Sequence, residues 1–340
     1  MYGSTGAGVR ASVAVAGVAL LLAGCFGGDG GDGGKDRASG SDPTRQPRGT
    51  GPFWVNPEGN AAAQVAAYEK AGKDEDAELI RRIAEQPTGE WISQENPEQE
   101  ARGFTEAAEK ADRDAVLVLY NIPHRDCGQY SGGGAADGEA YRAWIDAVAK
   151  GIGDRPATVV LEPDAVLHVV DGCTPGEFHE ERYDLLKSTI GTLGALRNTK
   201  VYLDAGNAGW SEADKIAEPL KWAGVEKADG FAVNVSNFYT TEDSVEYGRR
   251  LSSKIGDKPF VIDTSRNGNG PWTEGNKDEQ WCNPPGRALG ETPTTKTADP
   301  LVDAYLWVKR PGESDGECKG GPKAGQWWPE YALDLAEASD

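Results

Sequence analysis

Short apolar runs of strand length recur between residues 89 and 309, and stretches with helical periodicity separate them. The runs are 89–93, 115–120, 158–162, 200–204, 231–235, 259–263 and 304–309. The clearest helix is predicted over 139–152, where apolar side chains follow helical spacing at Tyr141, Trp144, Ile145, Val148 and Ile152. Segments 177–196, 212–225 and 243–255 fill the next three gaps. Near-continuous apolar strands that alternate with helices indicate an α/β protein with a parallel sheet covered by helices.

Polar residues follow almost every apolar run on its carboxyl side, and they are Asp126, Asp164, Asp204, Asn234, Asp263, Lys309 and Asp315. Parallel strands bring these ends to one rim, which carries the active site in a β/α barrel. A doubly wound open sheet would instead concentrate its site at one crevice. Because nearly every strand contributes a polar residue, we expect a barrel, with seven strands rather than eight.

Several function classes are disfavoured by charge and by missing motifs. The formal net charge of -20 argues against a nucleic-acid partner, because such binding relies on Lys and Arg that neutralise phosphates. No GxGxxG or Walker pattern lies at a strand-to-helix junction, so we expect no nucleotide cofactor. The histidines His124, His168 and His179 show neither HxH nor HExxH spacing, which argues against a metal site. GxSxG is also absent, which leaves carboxylates as catalytic candidates.

Residues 1–25 are predicted to be an export signal. They hold one basic residue, Arg10, before an apolar run that is too short and too early for a membrane-spanning helix. The run ends in Leu22-Ala23-Gly24-Cys25, which resembles the bacterial lipobox, in which the cysteine becomes the lipidated first residue. An ordinary signal peptide that contains a cysteine is the alternative. The lipobox predicts a lipoprotein on the outer face of the cytoplasmic membrane, and the alternative predicts a secreted protein.

The composition changes sharply after the signal. Residues 26–50 are rich in Gly and have almost no large apolar side chain, so we expect a flexible tether with ends roughly 25–30 Å apart. We expect residues 51–340 to form a single catalytic domain. Four cysteines remain once Cys25 is set aside, namely Cys127, Cys173, Cys282 and Cys318. An even number in an exported chain suggests two disulfides, and no CxxC pair suggests zinc.

The carboxylates at the predicted rim suit acid/base chemistry. Glu162 and Asp164 flank a proline where the third run ends, and burial with neighbouring carboxylates could keep one of them protonated. An Asp that caps the next helix is the alternative for this fragment taken alone. Glycoside hydrolysis needs two carboxyl groups at the scissile bond. Sugar rings also need aromatic platforms, and tryptophans in loop-like segments are Trp210, Trp272, Trp281, Trp327 and Trp328.

Seven segments carry a resemblance to a known family. They are YNIPHRDCGQYSGGG (120–134), VVLEPDAV (159–166), YLDAGNAGW (202–210), FAVNVSNF (231–238), DTSRNGNGP (263–271), WCNPPGRALG (281–290) and WVKRPGESDGEC (307–318). In this order the chain resembles glycoside hydrolase family 6, the cellulase family of endoglucanases and cellobiohydrolases. The resemblance implies a distorted seven-stranded β/α barrel that hydrolyses β-1,4-glucosidic bonds with inversion and needs no cofactor or metal.

The resemblance also implies roles for individual residues. Asp164 matches the general acid, and Asp126 matches the carboxylate that helps keep this acid protonated. Asp204 matches an aspartate that modulates the acid, and Asp315 matches the proposed base, acting directly or through a water. The implied substrate-binding residues are Tyr120, Ser131, Trp210, Asn234, Trp281, Lys309 and Glu313. An inverting site must leave room for the attacking water, so its acid and base should lie roughly 6.5–9.5 Å apart.

The family's disulfide pairing would join Cys127 to Cys173 and Cys282 to Cys318. The chain departs from the family pattern at Asn207, where a His is usual, and this puts one sugar contact in doubt. His124 stands where the family often has Asn, Asp or Gly, and we assign it no chemistry.

The leading hypothesis is an inverting endo-1,4-β-glucanase that acts as a monomer on cellulose, soluble β-1,4-glucan or cello-oligosaccharides. The segments between the strands look too short to enclose a tunnel, which favours endo action over an exo-acting cellobiohydrolase. A second hypothesis is a lipid-anchored sugar-binding protein without catalysis, which Asn207 supports and the four retained aspartates oppose. A third is a related barrel hydrolase for another β-linked glucan.

Overall fold

A computed structural model describes residues 51–339. Its single sheet has seven parallel strands whose spatial order is their order along the chain. The strands are β1 (Glu90–Trp91), β2 (Ala115–Leu119), β3 (Ala157–Leu161), β4 (Thr199–Asp204), β5 (Gly230–Val233), β6 (Phe260–Asp263) and β7 (Val302–Leu306). Each predicted apolar run therefore overlaps one strand, and the prediction of a seven-stranded parallel α/β fold is confirmed.

Helices cover the outside of the sheet. They are α1 (Asn60–Lys70), α2 (Asp74–Ala84), α3 (Pro97–Lys110), α4 (Gly138–Ile152), α5 (Leu167–Val170), α6 (His179–Gly194), α7 (Ala213–Trp222), α8 (Thr241–Ser252) and α9 (Pro329–Glu337). The four predicted helices correspond to α4, α6, α7 and α8. No helix is predicted from the sequence for the segments of α1, α2, α3, α5 and α9. In α1 no residue is buried, so no apolar stripe marks this helix in the sequence.

Alternate residues of each strand face two different cores. Val116 and Val118 of β2 belong to a cluster inside the curled sheet, together with residues of β3 to β7. Leu117 and Leu119 of the same strand belong to the larger cluster under the surrounding helices. This alternation follows the period of two of a β-strand, and it makes both faces of the sheet apolar.

The curled sheet closes only loosely between its first and last strands. The ladder runs from β1 to β7, and β1 has only two residues. The N–H of Gly89 donates to the Trp307 carbonyl over 2.8 Å, and the Trp91 indole Nε1 donates to the Val308 carbonyl over 3.0 Å. Isolated hydrogen bonds therefore join β1 to the segment that follows β7, in place of a strand ladder. This incomplete closure is the distortion of the barrel.

The other predictions about chain organisation concern its N-terminal part. The predicted signal at 1–25, with the lipidation site Cys25, and the predicted tether at 26–50 lie outside the described residues. From residue 51 to residue 339, every helix is too short or too polar to cross a membrane.

Candidate active site at the carboxyl ends of the strands

The backbone at the rim adopts conformations that side chains other than Gly rarely take. Positive φ angles occur just after the strands at Asp126 (52°), Glu162 (46°), Asp164 (71°), Asn234 (66°) and Ser236 (55°). Such conformations are strained and persist only where surrounding contacts hold them. Several of them lie at the carboxyl end of the sheet, which makes this rim a candidate functional face.

Asp164 lies just beyond β3 and forms hydrogen bonds with two other strand ends. The Tyr120 hydroxyl donates to Asp164 Oδ2 over 3.2 Å, and the Asp164 N–H donates to Asp204 Oδ2 over 2.9 Å. Burial raises the pKa of Asp164 to about 7, and the negative charge of Asp126 adds to this increase. Asp164 can therefore carry a proton at neutral pH, as a general acid requires.

Asp204 supports Asp164 from the end of β4. Its Oδ2 also accepts from the Gly206 N–H over 3.2 Å, and its Oδ1 is buried without a hydrogen-bond partner among the described residues. Burial, and then the neighbouring Asp164, raise the pKa of Asp204 well above its usual range. The charge of Asp164 thus disfavours ionisation of Asp204, so protonation of one carboxyl group depends on the other.

Asp126 lies in the loop after β2. Its Oδ2 accepts from the Ser131 N–H over 2.6 Å, so the two residues close a short turn. Burial raises the pKa of Asp126, while the Ser131 N–H and the charge of Arg125 oppose that increase. Arg125 fixes the same loop, because it donates to the Tyr120 carbonyl and, over 2.8 Å, to the Ser131 carbonyl.

Glu162 is a buried carboxyl group to which the sequence analysis gave no definite role. Its oxygens accept from the N–H groups of Asn121 and Ile122 over 3.0 Å. Burial raises its pKa to about 7 despite these hydrogen bonds. Glu162 is fully buried, so it holds the start of the loop that carries Asp126 and does not face the cleft.

Asp315 occupies a different electrostatic environment from Asp164. It pairs with Arg266 Nη1 at 2.9 Å and with Lys309 Nζ at 3.3 Å, and it accepts from the Asn283 N–H over 3.0 Å. Burial alone would raise the pKa of Asp315, but the two cations outweigh burial and lower it. Asp315 is therefore an ionised carboxylate.

The backbone around this ion pair is held by Asp263, which ends β6. Its carboxylate accepts from the N–H groups of Ser236, Ser265 and Lys309 over 2.9, 3.0 and 3.0 Å. The Arg266 guanidinium is completely buried and lies 4.3 Å from the centre of the Phe238 ring. Three strand ends are thus joined through one carboxylate.

Tyr130 connects the loop of Asp126 to the segment of Asp315. A Cβ added at Gly316 would come within 2.4 Å of the Tyr130 ring, so this ring lies directly against the backbone next to Asp315. The same ring meets the edge of Trp281, with centroids 6.1 Å apart. The loop that carries Asp126 and Ser131 therefore reaches the segment of Asp315 across the rim.

The side chains of the predicted sugar-binding residues differ in their exposure and in the hydrogen bonds that they already form within the protein. Trp210 is partly exposed, and its Nε1 donates to Asp171 Oδ2 over 3.0 Å. Glu313 is mostly buried, and its Oε1 accepts from Asn60 Nδ2 over 3.0 Å. Lys309 Nζ donates to the Ser314 carbonyl over 3.1 Å in addition to its contact with Asp315. Their roles towards a sugar stay predictions.

The side chains of Asn234 and Asn207 form hydrogen bonds within the protein. Asn234 is completely buried, and its amide group donates to the carbonyls of Tyr239 and Asp263 and accepts from the Tyr239 N–H. It therefore orders the loop after β5, and its predicted sugar contact stays a prediction. Asn207 Oδ1 accepts from the Gly209 N–H over 3.1 Å.

Two disulfides fasten the loops of the rim, with the pairing that the resemblance implies. Cys127 is bonded to Cys173 and Cys282 to Cys318. His168 lies close to the first disulfide, but its sulfurs are bonded to each other and offer no thiolate to a metal. His124 is exposed and stacks on Phe178 at 4.0 Å.

The sequence analysis missed several residues that build the site, namely Arg125, Tyr130, Arg266 and Asn283. All four stand inside segments that carried the family resemblance. A fully buried carboxylate charge at a strand end must be paired. A cation next to such a strand end is therefore the sequence signal that could have identified Arg266.

Comparison with known proteins agrees with this geometry. The sequence profile described as "Glycosyl hydrolases family 6" matches residues 49–339. Endoglucanase A of Cellulomonas fimi is 44% identical over 85% of this chain and 62% of its own length, so the chain spans about three fifths of that relative. Endoglucanase 1 of Streptomyces halstedii is 39% identical over 88% of this chain and 91% of its own length.

A solved structure shares the fold as well. The endoglucanase Cel6 from Mycobacterium tuberculosis, in complex with methyl-cellobiosyl-4-deoxy-4-thio-β-D-cellobioside, superposes with a TM-score of 0.79. It is 44% identical and covers 86% of this chain and 99% of its own. The profile match and these identities extend over most of the chain and include the whole rim. The chain belongs to glycosyl hydrolases family 6.

Proposed function

We propose that the protein is an inverting endo-1,4-β-glucanase that hydrolyses cellulose, soluble β-1,4-glucan or cello-oligosaccharides. The observation that carries the proposal is the contrast between two carboxyl groups at one rim. Burial and Asp126 raise the pKa of Asp164 to about 7, whereas Arg266 and Lys309 outweigh burial at Asp315 and lower its pKa. A protonated acid and an ionised carboxylate are the two groups that glycoside hydrolysis requires.

In this mechanism Asp164 donates its proton to the oxygen of the leaving sugar. Asp126 disfavours ionisation of Asp164 before the reaction, and Asp204 holds the backbone of Asp164 in place. Asp315 is the base that activates the attacking water, directly or through a second water. The cation pair around Asp315 keeps it ionised but also weakens it as a base.

The substrate would lie along the rim between the two carboxyl groups. Trp210 and Trp281 provide aromatic platforms, and Tyr120 lies beside the sugar that is cleaved. Ser131, which is tied to Asp126, helps to position the water. Lys309, Glu313 and Asn234 complete the proposed sugar-binding set, Asn234 by shaping the loop after β5.

Endo action is tested with carboxymethylcellulose. We expect the viscosity to fall early, before much reducing sugar appears, because internal cuts shorten the polymer fastest. Asp164→Asn keeps the shape of the side chain but cannot donate the proton, so its rate should fall by about 10²- to 10⁴-fold. Release of cellobiose without a drop in viscosity would support exo action, and a rate for Asp164→Asn equal to the parent's would defeat the assignment of Asp164 as the acid. A parent that hydrolyses none of these glucans would defeat the enzyme proposal.

We also propose that the protein is exported and held by a lipid on Cys25, with residues 26–50 as a tether. Two disulfides support export, because such bonds persist in oxidising compartments. The domain would act as a monomer that stands off the membrane. Expression in a bacterial host with a radiolabelled fatty acid tests this: the parent should take up the label, and Cys25→Ala should not, because it lacks the thiol that carries the lipid. Equal labelling of the variant and the parent would contradict the lipid anchor.

A further inference from the structure

A groove lies on the outside of the barrel, between the start of α6 and the outer face of α7. It has a volume of about 570 Å³, and α5 contributes Val169 and Val170 to its wall. Lys215, Pro219 and Trp222 line it from α7 at helical spacing, so they share one face over about 10 Å of helix. The groove is therefore long enough for a disaccharide.

Trp222 is the main feature of this groove. Its side chain is 55% exposed, although a large apolar ring in contact with water costs free energy. The Tyr183 ring lies 5.7 Å from it, centre to centre, with the two ring planes 76° apart. The Trp222 indole N–H has no partner among the described residues, so it can donate to a ligand.

Two charged side chains at the edge of the groove are also available to a ligand. Glu180 and Lys215 are exposed, and neither side chain forms an ion pair or hydrogen bond within residues 51–339. An aromatic face flanked by one acceptor and one cationic donor suits a neutral polyhydroxylated ligand. An anionic ligand is disfavoured by the formal net charge of -20.

The wall of the groove adjoins the segment that contacts Trp210. Val170 in this wall is followed directly by Asp171, whose Oδ2 accepts from the indole of Trp210. The groove therefore lies next to a contact of this predicted sugar platform. We propose that the Trp222 groove is a second binding site for a β-1,4-glucan chain, outside the catalytic cleft.

This inference rests on the proposed function, because a polymeric substrate is what makes a second site useful. Two sites on one domain hold the same chain, so the second raises the effective concentration of substrate at the first. The site would act on polymers that are long enough to reach both places. Short oligosaccharides would bind in the cleft alone.

Three substitutions at one position test the site, namely Trp222→Ala, Trp222→Leu and Trp222→Phe. Binding to swollen cellulose is measured by depletion in an Asp164→Asn background, and kcat/KM on cellohexaose is measured without that change. We expect the Ala and Leu variants to bind the polymer about two- to tenfold more weakly, because they lose the stacking face. The Phe variant keeps a ring and should bind within about twofold of the parent.

The cellohexaose rate should stay within about twofold for all three variants, since Trp222 lies at the surface and away from the rim. Polymer binding by Trp222→Ala or Trp222→Leu that equals the parent's would overturn the proposal. It would also be overturned if Trp222→Ala instead abolished self-association or binding to lipid vesicles and left glucan binding unchanged.

The same data separate the two proposals. Hydrolysis of cellohexaose by the parent without any Trp222-dependent binding defeats the second site and leaves the proposed enzyme intact. Trp222-dependent binding by a parent that does not hydrolyse cellohexaose supports the site and defeats the proposed activity.

Discussion

At the scale of single residues, two neighbours act on the Asp164 carboxyl group in opposite directions. The charge of Asp126 raises the pKa of Asp164, whereas the hydrogen bond from Tyr120 lowers it. Burial changes the pKa of Asp164 more than either of these two neighbours does. The alkaline limb of the pH profile of kcat/KM reports the loss of this proton from the free enzyme.

Substitution of these two neighbours should therefore move the alkaline limb in opposite directions. Asp126→Asn removes a negative charge, so ionisation of Asp164 becomes easier and the limb moves to lower pH. Tyr120→Phe removes a donor that stabilises the ionised form, so the limb moves to higher pH. Both variants are measured with one chromogenic or fluorogenic cello-oligosaccharide across the pH range. Shifts in the same direction would contradict the assignment of Asp164 as the acid.

Residue types and order predicted the carboxyl groups of the site, but they did not predict its hydrogen bonds. Asp126, Asp164, Asp204 and Asp315 stood out because each follows an apolar run. The pairing of Asp315 with Arg266 depends on contacts over 49 residues of sequence, and no local pattern encodes such a contact. The ring of Tyr130 against Gly316 has the same origin.

At the scale of helices and strands, alternation of apolar runs with periodic segments was sufficient to predict β1 to β7 and the four central helices. It did not predict α1, which has no buried residue and whose sequence is rich in Ala without an apolar stripe. It also did not predict α2, α3 and α9, although these helices bury Ile80, Phe104 and Leu335, respectively. Lack of burial therefore explains the failure at α1 alone.

Packing of two helices can be compared through one substitution in each. Gly248 of α8 lies against β6, and an added Cβ would come within 2.3 Å of the Phe260 ring. Gly191 of α6 has nothing within 4 Å of an added Cβ. Gly248→Ala should lower the free energy of unfolding by about 1–3 kcal/mol through overpacking.

Gly191→Ala is the matched control, and it should raise the free energy of unfolding by about 0.5–1 kcal/mol because Ala favours the helix. Urea denaturation of the two variants and the parent measures both values. Equal effects of the same sign would show that contact with Phe260 does not decide the outcome.

At the scale of the whole molecule, buried titratable groups set limits on the pH range of stability. Burial raises the pKa of Glu162 from 4.5 to about 7, so the stabilisation that is present below 4.5 is lost as pH rises through about 7. Burial lowers the pKa of His168 from 6.5 to about 4, so the stabilisation that is present above 6.5 is lost as pH falls through about 4.

Asp164, whose pKa burial also raises to about 7, adds to the loss on the alkaline side. We therefore expect the Tm of the protein to be highest in mildly acidic solution and to fall as pH rises through about 7. Glu162→Gln should flatten the decrease towards neutral pH, and His168→Gln should flatten the decrease towards acid. Differential scanning calorimetry across the pH range measures both effects. A Tm profile that neither substitution changes would show that other groups set the limits.

The central claim concerns the whole active site, because inversion requires the acid, the water and the base to act together on one bond. ¹H NMR of the parent enzyme with cellohexaose reports activity, the position of cleavage and the configuration of the first product in one experiment. The proposed mechanism predicts that the newly formed reducing end is the α-anomer before mutarotation. A β-anomer as the first product would contradict it.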